Sequence, residues 1–157
     1  MNVLDSTIAA ELIGLPDRLR LMLLWEQRKK IVDDAHYWQM LAAVWMDTTI
    51  CTPNLNTWKT LFCAPRRNRH KLMKKADRHA FEALPERLDI YRNGTTDDEA
   101  MCFTLDKEVC KIFRQPGAET FHKRVSKDDV ICYFNRRREA EVLYIPRAEQ
   151  VMWKEVW

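Results

Sequence analysis

Leu84-Pro85-Glu86-Arg87-Leu88-Asp89-Ile90-Tyr91-Arg92 is the stretch at which the chain changes texture. Before Pro85, from about residue 5 to 83, apolar residues recur at helical spacing. After it, short β-type segments follow at 88–92, 100–104, 130–134 and 139–145. A helix is expected at 106–115, closed by Pro116-Gly117. Helices first and a small mixed sheet later predict an α+β chain. It reads as a single domain over 1–157, with a helical part at 1–84 and a β-rich part at 85–157.

In the helical part, Ile31, Ala35, Trp38, Ala42 and Trp45 form one apolar stripe. Asp17, after Pro16, is the expected start of that helix, with Lys29 and Asp33 one turn apart on its opposite face. Thr52-Pro53 reads as the N-cap and first position of a short helix carrying Trp58, Leu61 and Phe62. A helix at 67–83 would place Leu72, Met73, Ala76 and Ala80 on a common side.

Composition narrows the class. With 46% hydrophobic and 31% charged residues the chain can bury a core and is not disordered. A net charge of +3 does not mark the whole chain as a nucleic-acid binder. Arg18, Arg20 and Glu26 interrupt the best apolar run, well short of the roughly 18 residues a membrane span needs. Asp5 and Glu11 do not fit a signal peptide, and five irregularly spaced cysteines read as reduced thiols in a cytoplasm. Cys51, Cys63, His70 and His79 are too irregular for a zinc site, and His36 and His122 stand alone.

Three features of the β-rich part carry chemistry together. Tyr91-Arg92-Asn93-Gly94 puts an arginine at a strand end, where its planar fork can hold two phosphate oxygens or a surface salt bridge. In Cys102-Phe103-Thr104, Cys102 and Thr104 face one way and Phe103 the other. That segment also reads as a plain strand leading to Asp106 as a helix cap. Glu139-Ala140-Glu141 would set two carboxylates on one strand face, a repulsion that Arg137 on the same face could offset.

An arginine strand, a Ser/Thr strand and a Glu-x-Glu strand, in that order, resemble the R-S-E class of ADP-ribosyltransferases. The similarity is closer to small phage-encoded members, through Leu84 to Arg92, Cys102-Phe103-Thr104, and Arg137-Arg138-Glu139-Ala140-Glu141-Val142. Lys127 to Phe134 matches the strand before Glu-x-Glu, and the likeness covers roughly residues 57–146. It implies an NAD-dependent transferase acting on a macromolecular acceptor, a host protein first, in an infected bacterial cytoplasm. Glu141 would then stabilise positive charge developing on the ribose, and Glu139 would orient or deprotonate the acceptor. Arg92, beside Tyr91, would hold the pyrophosphate, and Thr104 or Cys102, either side of Phe103 in the same NAD-binding strand, would steady the nicotinamide ribose or Glu141. Cys102 stands where the family usually has serine, and Asn93 where it has glycine.

Those two departures motivate an alternative, an inert chain of this fold that binds a host protein, with Trp25, Trp38 and Trp45 of the helical part as surface or as core. Nucleic-acid binding is a further alternative. Arg66, Arg67, Arg69, His70, Lys71, Lys74, Lys75 and Arg78 form a basic run, with Trp58 and Phe62 just upstream. The same run also reads as a solvated helix face. The turn 94–98 and an expected loop at 115–123 would cover NAD or meet the acceptor.

Overall fold

The computed structural model describes residues 1–48, 54–95 and 100–157. The Thr52-Pro53 helix start, Cys51, and the Thr96-Asp97-Asp98 end of the turn after Arg92 lie outside the described residues. Five helices come first: α1 (Val3–Gly14), α2 (Asp17–Gln27), α3 (Asp34–Asp47), α4 (Leu55–Phe62) and α5 (Lys75–Glu82). Then follow β1 (Arg87–Gly94), β2 (Cys102–Thr104), α6 (Lys107–Ile112), β3 (Glu119–Ser126), β4 (Val130–Phe134), β5 (Glu141–Tyr144) and α7 (Arg147–Val156). The chain is α+β with its helices leading. Its strands form one sheet in the order β3-β1-β2-β5-β4, and every pairing is antiparallel, which corrects the expected mixed sheet. Among the described residues no helix is long and apolar enough to cross a membrane.

Residues directly opposite on antiparallel strands share a face. Tyr91 pairs with Thr104, and Thr104 with Glu141, so these three lie on one face with Cys102 and Leu143. By alternation Leu88, Ile90, Arg92, Phe103 and Val142 take the other face. The first face bears the larger core, where Cys132, Phe134 and Leu143 join Trp38, Leu41, Trp58 and Phe62 from the helices. The second bears a smaller core of Leu88, Ile90, Phe103, Val125, Val130 and Val142, closed by Phe81 and Leu84.

The single helix expected across 17–45 is two. Its break at 28–33 is fixed from a distance. The Asp5 carboxylate accepts the amides of Val32 and Asp33 and bonds His36 Nδ1 at 2.9 Å. Arg66 donates to the carbonyls of Arg28 and Ile31 and to Asp34, with its guanidinium 4.7 Å from the Tyr37 ring. Asp33 leaves any pairing face with Lys29 and caps α3 instead, accepting from His36 N. The stripe itself survives on α3, where Trp38, Ala42 and Trp45 are buried.

The helix expected at 67–83 also divides. Asn68, at φ 62°, starts a 3-10 turn, Arg69–Leu72, before α5 begins. Leu72 is buried, while Ala76 and Ala80 face solvent. The expected loop at 115–123 is corrected as well, because β3 starts at Glu119 and pairs with β1 along its whole length. α7, unforeseen, returns to the helical part: Trp157 meets Tyr37 edge to face at 5.2 Å, and Lys59 pairs with Glu149 at 3.1 Å.

Candidate functional site

Glu141 opens β5 on the face covered by the helices. Its Oε1 accepts a 2.7 Å hydrogen bond from Trp45 Nε1, and its Oε2 accepts from Cys102 Sγ at 3.4 Å. The Trp45 ring is clamped edge-on by Trp58 and Phe62, at 4.9 and 5.5 Å between centroids. A buried indole N–H needs an acceptor, and here that acceptor is the carboxylate. Charge-assisted hydrogen bonds of this kind are stronger than neutral ones. Glu141 is therefore fixed by two donors on two elements, one from each half of the chain.

Glu139 reaches the same cleft by another route than the one expected. It does not extend the strand, because residues 135–140 form a tight turn with Arg137, Arg138 and Ala140 all at positive φ. Such conformations cost non-glycine residues on the order of 1–2 kcal/mol each, so the turn must be held by its surroundings. Thr104 Oγ1 donates to the Glu139 carbonyl at 2.6 Å and accepts the Asp106 amide at 3.0 Å. Asn135 Oδ1 accepts the Ala140 amide, and the Ala140 carbonyl accepts from Leu105 N. Thr104 thus fastens the turn and does not steady Glu141, a task that falls to Cys102. Arg137, expected on the strand face, belongs to the turn.

A cleft of about 630 Å³ opens over these groups, lined by Trp45, Asp47, Thr48, Cys102, Arg136, Arg137, Glu139 and Glu141. Of the site residues singled out in sequence, it gathers Cys102, Glu139 and Glu141, together with Arg137, the expected offset to the pair. Arg92 is not among its lining. It lies on the opposite sheet face, with its guanidinium 5.6 Å from the Phe121 ring of the paired strand. Gly94 packs against that guanidinium, and a Cβ there would come within 2.6 Å of Nη2. Phe103 is buried on the same face as Arg92, edge-on to Tyr144.

Tyr91 shares the Glu141 face but stacks on His122 at 4.9 Å, over the polar end of the sheet. There Asp89 accepts from His122 and Arg124, and the His122 bond above all holds its carboxyl below the ordinary range. Asn93, at the position expected for glycine, has a structural task. Its Nδ2 donates to the Cys110 carbonyl of α6, and its Oδ1 accepts from Thr120 of β3.

Sequence reasoning took Trp45 as core or as part of a partner-binding surface, and passed over Arg136. A buried Trp always raises the question of where its N–H goes, but no local pattern could point it to a glutamate 96 residues away. The basic run is also divided. Arg66 is consumed by the 28–33 break, whereas Arg67, His70, Lys71, Lys74 and Lys75 are exposed.

No family model, no curated protein and no solved structure matches this chain. The resemblance to ADP-ribosyltransferases therefore rests on its sequence motifs alone.

Proposed function

We propose that the chain is an NAD-dependent ADP-ribosyltransferase working from the Glu141 cleft. The observation that carries this reading is a carboxylate pinned by an indole and a thiol, with Glu139 and two guanidiniums lining the same cleft and its other two carboxylates, Asp17 and Asp47, paired with Arg20. Ligand pockets commonly run to about 300–1,000 Å³, and this cleft is of that size. NAD supplies a glycosidic bond whose cleavage builds positive charge on the ribose, as in glycoside hydrolysis.

A carboxylate held rigidly where that charge forms stabilises it without reorganising, the role given to Glu141. Glu139, on its strained turn, orients or deprotonates the acceptor. Arg136 and Arg137 take the pyrophosphate role that the motif assigns to Arg92, because an arginine fork suits paired phosphate oxygens. The acceptor is a macromolecule, a host protein first, in the cytoplasm of an infected bacterium if the phage resemblance holds.

The displaced Arg92 and the thiol at Cys102 favour a second reading, an inert chain of the same fold that binds a host protein. Label transfer from tagged NAD into bacterial lysate separates the two, comparing the protein with Glu141→Gln. Label on protein or nucleic acid with wild type alone is the expected result. Neither transfer nor released nicotinamide from a folded wild type leaves only the binding reading.

A further inference from the structure

Away from the Glu141 cleft, two clefts of about 520 and 250 Å³ adjoin. They share Arg69, Arg147 and Gln150 in their walls, so the 3-10 turn and α7 meet there. Arg69 is half-buried between them and reaches Gln150 Oε1 at 3.3 Å. Arg78 and Lys127 line the larger cleft, and Lys154 the smaller. Its two acids are already opposed, Glu82 by Arg78 at 3.5 Å and Asp128 by Arg147 at 3.6 Å. Lys127 is committed to the carbonyls of Glu82 and Leu84.

Arg67, Arg69, Lys71, Lys74, Lys75 and Lys154 form no ion pair among the described residues. Residues 66–78 hold seven Lys/Arg against Asp77 alone, a net of +6. With +3 for the whole chain, the remainder is net −3. The charge is thus segregated, and α7, net neutral with Glu149 and Glu155 against Arg147 and Lys154, places of its charged residues only the two bases in the linings.

We propose that this surface binds the phosphate backbone of a nucleic acid. Cations without an acidic partner are what phosphate contacts need: Arg69 and Lys154 line the clefts, and Arg67, Lys71, Lys74 and Lys75 are exposed on the same basic run. A protein partner would call for exposed aromatic anchors, and Phe81 is the one aromatic in the two linings, where Val130 and Ile131 are buried in the cores. The proposal does not depend on ADP-ribosyl transfer.

The test is fluorescence anisotropy with a labelled single-stranded RNA of about 20 nucleotides, titrated in salt from about 50 mM upward. If about five phosphates are engaged, log K falls against log salt with a slope near −3.5. Arg147→Glu with Lys154→Glu, both exposed on α7, should weaken binding at least about 10-fold and flatten the slope by about 1.4. Lys107→Glu with Lys111→Glu on α6 changes net charge equally and should leave most of the affinity. Circular dichroism confirms that both doubles are folded. Equal losses in the two doubles, or no RNA binding at the lowest salt, would overturn the proposal. Polyglutamate binding as tightly as RNA would also overturn it, in favour of an acidic protein.

Discussion

The two faces of the sheet are built from alternate residues of the same strands, yet they differ in kind. The Glu141 face is roofed by the helices and keeps a charged cleft at its margin. The Arg92 face closes over a small apolar core, and its arginine lies along Phe121. A motif read as a line of letters puts Arg92 and Glu141 in one site. Period two in the strands, with the Tyr91–Thr104 and Thr104–Glu141 pairs, puts them on opposite sides. Strand order in a motif does not by itself specify a shared face.

The comparison can be tested by substitution. Trp45→Phe keeps the ring and deletes the donor. Losing a hydrogen bond to a charged group costs about 1.5–3 kcal/mol, so kcat should fall roughly 10- to 100-fold. KM for NAD should change little, which a general loss of fold would not produce. Arg137→Ala should raise KM for NAD about 10-fold, whereas Arg92→Ala should leave it nearly unchanged and lower the melting temperature instead. The reverse pattern would place the pyrophosphate on the Arg92 face.

Smaller effects test how the roof is held. Burial alone would raise the Asp5 carboxyl, but bonds from Val32, His36, Asp33 and Asn2 bring it down to about 2 from 3.8. Its folded pKa is depressed, so its contribution to stability is complete above about pH 4 and is lost as pH falls toward 2. Asp5→Asn should remove that part of the acid dependence in denaturant melts and cost about 2 kcal/mol at neutral pH. Ala140→Gly should relieve the positive φ at residue 140 and stabilise by up to about 1 kcal/mol. Slower turnover in that variant would show that the strained turn aims Glu139.

Much of the β-rich half was legible because its buried strands advertise themselves. Residues 130–134 were read with the bounds that β4 has, and Asp106 caps α6 by accepting from Glu108 N. β3 was not legible, since it is an open edge strand whose only buried side chain is Val125. Edges of this kind stay polar to avoid pairing with other chains, and they look like loops. The break at 28–33 escaped because its causes, Asp5 and Arg66, lie far away in sequence. The Glu-x-Glu pair was read as strand because nothing in Arg137-Arg138-Glu139-Ala140 announces three left-handed residues. The two carboxylates do line one cleft, but the path that brings them together was not legible.

Nicotinamide release from NAD by the purified protein, wild type against Glu141→Gln, tests the central claim most directly. The account predicts steady release by wild type and a loss of at least about 100-fold in the variant, with unchanged circular dichroism and melting. Equal release by both proteins would contradict it, because the carboxylate held by Trp45 and Cys102 would then have no part in the chemistry.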